Sequence, residues 1–163
     1  MRPGPRTAAD SDHAQVAVPA PIACAGFLVL ALILHSVLPL PTPLPALVRG
    51  LGVGCVVGGL FLGTLALAQL KRAHTPVSPH RPSTALVTDG PYRFTRNPIY
   101  LGFNLVFVGF TFLAGTLWGI VLLPLAVLAV NRLTIGAEET YLQSGFGDLY
   151  TRYRSRVRLY SLR

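Results

Sequence analysis

Asp89 to Phe103 reads DGPYRFTRNPIYLGF. Asn97 followed by Pro98 is a helix-start signature, because an Asn side chain caps free amides and Pro fits the first helical position. From Asn97 to Asn131 no residue carries a formal charge. The stretch therefore reads as a polar surface segment that turns into a membrane helix at residue 98. The amides at such a helix start also suit a ligand carboxylate.

Working outward, the chain has 163 residues, 52% of them hydrophobic and 12% charged, with a mean hydropathy of +0.54. That is far from the balance of a soluble domain. A bilayer crossing takes roughly 20 apolar residues, and Pro21–Val48 and Gly50–Leu70 also lack formal charge. Pro39, Pro41, Pro43 and Pro45 stop the first of these helices, since proline removes donors and clashes with the preceding turn. The third window, about 35 residues long, would reach roughly 52 Å as one helix, too far for a single crossing. Gly115, Thr116 and Gly119 near its middle split it into a hairpin.

The expectation is an all-α membrane protein with about four transmembrane helices, near 22–38, 47–71, 98–113 and 117–133, the last two forming a helical hairpin of short spans. Residues 1–20, rich in Ala and Pro, read as a disordered tail before a single domain over 21–163. The first apolar stretch is long for a signal peptide and has no clear cleavage site behind it, so it reads as a retained helix. Gly50, Gly54 and Gly58, with Gly59 and Gly63, form small-residue stripes that let helices approach closely in lipid. In the tail, Leu142, Phe146, Leu149 and Tyr153 at helical spacing suggest an amphipathic interfacial helix over 137–158.

The net charge of +8 raises nucleic acid as a partner, but its distribution argues against one. Cations collect in the connector (Lys71, Arg72, Arg81, Arg93, Arg96) and in the tail from Arg132 onward, while the opposite turns hold only Arg49. By the positive-inside rule both termini and the connector are cytoplasmic, and arginines at span ends meet anionic headgroups, making membrane lipids the expected partner. The preference for Arg, Ala, Gly and Pro suggests a GC-rich bacterial genome, hence the inner membrane. Cys24 and Cys55 lie within spans as packing residues, and His74 and His80 lack partners at ligand spacing, so no metal site is expected. His35, near the end of the first span, reads as a polar contact there.

Glu138 and Glu139, just beyond the hairpin, are costly unless solvated or paired, and they return to the side that holds Tyr92, Arg93 and Arg96. An ion pair between tail and connector is the simplest account. Taken together, TALVTDGPYRFTRNPIYLG, an apolar hairpin and EETYLQSGFGDLYTRYRSRV resemble the integral-membrane methyltransferases related to isoprenylcysteine carboxyl methyltransferase and the phospholipid methyltransferases, over roughly Thr75 to Val157.

The resemblance implies S-adenosylmethionine as cofactor, bound at the cytoplasmic face, and a lipophilic or membrane-partitioning acceptor such as a prenylcysteine-like carboxylate, a phospholipid amine or a small thiol. By matched positions it places Thr84, Ala85, Leu86, Val87 and Tyr92 along the nucleoside, Asn97, Pro98, Ile99 and Tyr100 at the helix start, and Glu138 on a cofactor hydroxyl or ammonium. Arg132 and Arg96 are the candidates for substrate binding. Two positions depart from the pattern: Asn97 stands where prenylcysteine enzymes have histidine, and Thr134 stands where they have a substrate-binding arginine. Two other readings are an NADPH-dependent enzyme like the membrane sterol reductases and a non-enzymatic membrane scaffold.

Overall fold

The computed structural model describes residues 18–40, 45–76 and 83–157. Most of the expected N-terminal tail, Pro41, Pro43, His80, Arg81 and Arg158 lie outside these residues. Helix α1 spans Ala20–Val37 behind Pro19, with Pro21 in its first turn. Helix α2 spans Ala46–Arg72, starts directly after Pro45 and ends where His74 takes a positive φ of 50°. Its 27 residues reach about 40 Å, more than the hydrocarbon thickness. Helix α3, Pro98–Ala114, begins after Asn97 and stops at Gly115, whose φ of 67° is the left-handed cap that favours glycine.

Helix α4, Trp118–Val130, does not end where the apolar run ends. A π turn, Asn131–Ile135, carries it directly into α5, Gly136–Arg156. The sequence reading separates a fourth span from a tail helix near residues 133–137; the structure joins them, because Gly136 keeps helical φ/ψ (−58°, −42°) and the wider turn before it continues the helix. Three helical stretches are long and apolar enough to cross a membrane, Ala20–Val37, Ala46–Arg72 and Trp118–Arg156, and Pro98–Ala114 is a shorter apolar helix. At 17 residues α3 spans about 25 Å.

Four helices of alternating direction pack in the order α2, α3, α4, α1, with α1 also touching α3. Backbone-close glycines join α2 to α3: a Cβ at Gly59 would lie 2.6 Å from the Gly102 carbonyl, and one at Gly109 would lie 2.7 Å from the Gly52 carbonyl. The pairs 52 with 109 and 59 with 102 run antiparallel, each seven residues apart along its helix, so one face of each helix is in contact along two turns. This corrects the expected stripe over Gly50, Gly54 and Gly58, while Gly59 and the backbone of Gly63 do lie against Gly102. At Gly50, Gly54, Gly58 and Gly63 an added Cβ meets nothing, and the first three lie on a face shared with exposed Leu47, Leu51, Val57, Phe61 and Leu65. Such a surface suits acyl chains. Four-residue spacing is a frequent contact signature, but here the partner's own glycines sit seven apart and select the matching α2 face.

The hairpin of α3 and α4 closes on Thr111, which is fully buried and donates to the Phe107 carbonyl. A side chain at Gly119 would collide with it. At that end Trp118 Nε1 donates to the Leu38 carbonyl at 2.8 Å, tying the end of α1 to the start of α4. At the other end Ala20 of α1 packs with Val130 and Ile135, and Tyr100 of α3 joins them. The starts of α1 and α3 and the end of α4 thus share one side, the parity that charge placement requires.

Candidate active site

The connector, the start of α3 and helix α5 meet around one cleft, with about 910 Å³ of empty space including its mouth. The ends of the connector are clasped by two threonines. Thr84 donates to the His74 carbonyl at 2.9 Å, and Thr75 lies 3.1 Å from the Thr84 hydroxyl and 3.3 Å from the Ala85 carbonyl. The Ser83 amide donates to the Tyr141 hydroxyl at 3.1 Å, which ties this clasp to α5. Ala85, Leu86 and Val87 then run along the cleft as an apolar wall.

Gly90, at φ 59°, turns the chain into a short 3₁₀ turn, Gly90–Arg93, that buries Tyr92. Its carbonyl accepts the Tyr153 hydroxyl at 2.7 Å. Tyr153 comes from beyond a break in α5 at Gly147, where φ 51° and ψ −121° are not helical. The break rotates the helix face. Tyr150, only 1% exposed, joins Tyr153 and Val157 in a cluster against Leu86, Leu142 and Phe146, whereas Leu149 is 63% exposed. The expected stripe through Leu149 is corrected, since Tyr150 and not Leu149 faces the cluster, and the end of α5 packs back on the connector.

Glu138 and Glu139 diverge in role although adjacent. Glu139 pairs with Arg96 Nη1 at 2.5 Å and, more loosely, with Arg154 at 3.9 Å, the tie between tail and connector that the sequence suggests. Glu138 instead accepts the Tyr100 hydroxyl at 2.5 Å. Glu138 stands beyond the apolar part of α4, and burial pushes its carboxyl up to about 7, against a smaller downward pull from the Tyr100 hydrogen bond. Burial also raises Tyr92, Tyr150 and Tyr153, so their hydroxyls remain donors at neutral pH.

Beside these acids, at the start of α3, lie further donors on the same cleft. Asn97 is the residue before α3, but its side chain makes no cap; Nδ2 is buried without a hydrogen-bond partner and the residue lines the cleft. The capping role read from Asn-Pro is thus corrected: ψ of 63° at Asn97 turns the amide away from the first-turn N–H groups. Arg96 Nε is likewise buried without an acceptor. An orphaned buried amide is costly unless a ligand completes it.

Of the site residues read from sequence, Ala85, Leu86, Val87, Tyr92, Asn97, Pro98, Ile99, Tyr100, Glu138 and Arg96 line the cleft. Thr84 does not, because its hydroxyl is spent on the clasp. Arg132 is exposed on the π turn and is also outside the cleft. The lining adds Tyr141, Leu142, Tyr150 and Tyr153 of α5. For Leu142, Tyr150 and Tyr153 the signal in the sequence was the spacing 142, 146, 150, 153, 157, whose steps of three and four fit one face of an ordinary helix. Tyr153→Phe keeps the ring but removes the bond to the Tyr92 carbonyl; we expect ligand affinity at this cleft to fall about fivefold, about 1 kcal/mol, in calorimetric titration.

The cleft and its supports fall largely within a stretch that other proteins share. The family model described as phospholipid methyltransferase matches residues 47–149. The chain is 35% identical over 109 residues to the protein-S-isoprenylcysteine O-methyltransferase of Schizosaccharomyces pombe, which covers 66% of this chain and 45% of that protein. It is 37% identical over 60 residues to an uncharacterized protein of Haemophilus influenzae, covering 37% of this chain and 95% of that one. The chain thus spans less than half the length of the S. pombe relative. No solved structure matches it. A match that runs from the start of α2 into the broken end of α5 takes in both walls of the cleft, and on it the chain belongs to the phospholipid methyltransferase family.

Proposed function

We propose that the chain is an integral-membrane methyltransferase that uses S-adenosylmethionine at this cleft to methylate a lipophilic acceptor. The observation that carries the reading is two buried polar groups on one cleft, Glu138 on α5 and the unpartnered Asn97 Nδ2 at the start of α3, beside an apolar side wall. The cofactor has a complementary layout, with an ammonium and ribose hydroxyls to donate, a carboxylate to accept and a purine to bury.

Glu138 as carboxylate accepts from the ammonium or a hydroxyl, held in place by Tyr100. Asn97 Nδ2 and the first-turn amides of α3, which no side chain caps, receive the carboxylate. Ala85, Leu86 and Val87 with Tyr92 flank the base. When bound, the cofactor supplies an already activated methyl on sulfur. The chain's own contribution is then alignment and exclusion of water, which the Tyr150 and Tyr153 roof provides by closing the cleft above the connector. Both termini and the cleft lie on the cytoplasmic side in this reading, on the strength of the cation distribution.

The test is transfer of a radiolabelled methyl from S-adenosylmethionine, by the detergent-purified chain, to a total membrane lipid extract and to small thiols. Label in the lipid fraction is expected. No label in either pool, together with no S-adenosylmethionine binding by calorimetry, would overturn the proposal.

A further inference from the structure

The family match ends at residue 149, so the roof of the cleft, residues 150–157, lies beyond it. This roof joins the rest of the chain through one unusual residue. Gly147, at φ 51° and ψ −121°, occupies a backbone region that side chains with a Cβ rarely adopt. It parts α5 into a first half that carries Glu138 and Glu139 and a second half that carries Tyr150, Tyr153 and Arg154. Among the described elements α5 packs extensively only on the π turn that it continues, so no neighbouring helix clamps the second half.

What holds that half down is a short set of reversible contacts. On the cleft side Tyr150, Tyr153 and Val157 rest on Leu86, Leu142 and Phe146, and the Tyr153 hydroxyl donates to the Tyr92 carbonyl. On the other side a polar crevice separates Glu139, Gln143 and Ser144 of the first half from Arg154 of the second. Two side chains bridge the bend. Gln143 Nε2 donates to the Gly147 carbonyl at 3.2 Å and to the Thr151 hydroxyl at 2.9 Å, and Arg154 reaches Glu139 at 3.9 Å. Neither Gln143 nor Arg154 lines the cleft.

A cofactor that carries an ammonium and a carboxylate arrives from water, and on that side the cleft is covered by the connector and this roof. The connector is pinned by the Thr84 clasp and by the bond from Ser83 to Tyr141, and the start of α3 stands on the extensive contact with α2. The second half of α5 is the wall that can move without parting two packed helices. We propose that residues 148–157 form a lid that swings on Gly147 to exchange the cofactor with water, and that Gln143 and Arg154 are positioning residues that set how often it opens. The nature of the cargo rests on the methyltransferase reading, whereas the hinge is tested without any ligand. Gating also has its own kinetic signature. When a ligand enters and leaves only through the open state, a weaker latch speeds association and dissociation by the same factor and leaves Kd unchanged. Loss of a contact that shapes the closed site speeds dissociation alone.

The experiment follows association and dissociation of tritiated S-adenosylmethionine on the detergent-purified full chain by rapid filtration, together with hydrogen exchange of the ligand-free protein. Arg154→Gln is expected to speed both rates about two- to threefold, as suits a partly exposed ion pair, and Gln143→Ala about fivefold, each with Kd changed less than about twofold. Arg154→Lys, which keeps the charge, behaves like wild type. Raising NaCl from about 20 to about 500 mM speeds wild type but not Arg154→Gln, because salt screens the same pair. Amides of residues 148–157 exchange faster by matching factors in the two weakened variants, while those of 136–146 do not change. Unaltered exchange at 148–157 in both variants overturns the lid, as does faster dissociation with unchanged association. If the hydrogen-exchange pattern appears but no S-adenosylmethionine binds, the lid stands and the cofactor assignment fails.

Discussion

Gly59→Val is expected to leave no folded protein, whereas Gly58→Val, one residue away, leaves its thermal stability within a degree or two of wild type. At Gly59 the new Cβ would sit 2.6 Å from the Gly102 carbonyl and within 3.0 Å of Val106 and Leu105 side chains, so α2 and α3 must separate. The closest of these atoms is backbone and has no rotamer by which to yield. Overpacking in a core typically costs about 1–3 kcal/mol, and a clash with backbone lies at or beyond the upper end. Because the α2 and α3 contact is the most extensive between helices, and because the connector and Asn97 hang from those two helices, the cleft is lost with it. Gly58 faces open space, where valine meets only lipid. Size-exclusion profiles and thermal unfolding of the two detergent-purified variants make the comparison. Equal behaviour of the pair would contradict the packing described here.

Glu138→Gln is expected to lower S-adenosylmethionine affinity by about 100-fold, near 2.7 kcal/mol, while making the ligand-free protein more stable at pH 8. Both follow from one buried carboxyl. Its pKa rises from 4.5 in the unfolded chain to about 7 in the folded one. A carboxyl raised on folding favours the folded state only while protonated there, so wild-type stability declines as pH rises from about 4.5 to 7 and is level above. That decline is roughly 3 kcal/mol on the scale of 1.36 kcal/mol per pKa unit. Glutamine carries no such penalty, so the variant melts higher than wild type at pH 8 and the gap narrows toward pH 5.

Ligand binding has the opposite dependence. The carboxylate is the form that accepts from the cofactor, so wild-type affinity falls about tenfold per pH unit below 7 and is flat above it, whereas the glutamine variant shows no such slope. Tyr100→Phe removes the hydrogen bond that pulls Glu138 down, and should move the midpoint of the wild-type curve to higher pH. Calorimetric titrations between pH 5.5 and 8.5, with melting curves at pH 5 and 8, measure all of these. A glutamine variant that binds like wild type at every pH removes Glu138 from the site.

Much of the architecture follows from composition and punctuation along the chain. Uncharged windows need a bilayer, prolines at 39 and 45 bound the first loop, and Gly115 ends α3 because it alone there accepts a positive φ. The charge on Glu138, next to a long apolar run, marked it as a residue requiring a partner, and Asn97-Pro98 marked a helix start. These are local signals, since each depends on what one residue or one window can do in lipid or at a helix end.

Which partner each residue finds is a different matter. Asn97 and Thr84 have side chains able to cap, clasp or face a ligand; only the folded connector directs Asn97 into the cleft and Thr84 onto the His74 carbonyl. Glu138 and Glu139 are chemically alike in sequence, and a rotation of about 100° along α5 gives one to Tyr100 and the other to Arg96. The contact face of α2 was set by glycines on α3, and the Tyr150 and Tyr153 roof by a single non-helical residue at Gly147. By itself the sequence determined which segments become apolar helices and where Pro45 and Gly115 interrupt them, because burial in lipid and backbone conformation are properties of segments. The tertiary structure alone decided which faces meet and which polar atoms remain unpaired at the cleft, because close packing and hydrogen bonding depend on a partner distant in the sequence, as Tyr100 is from Glu138.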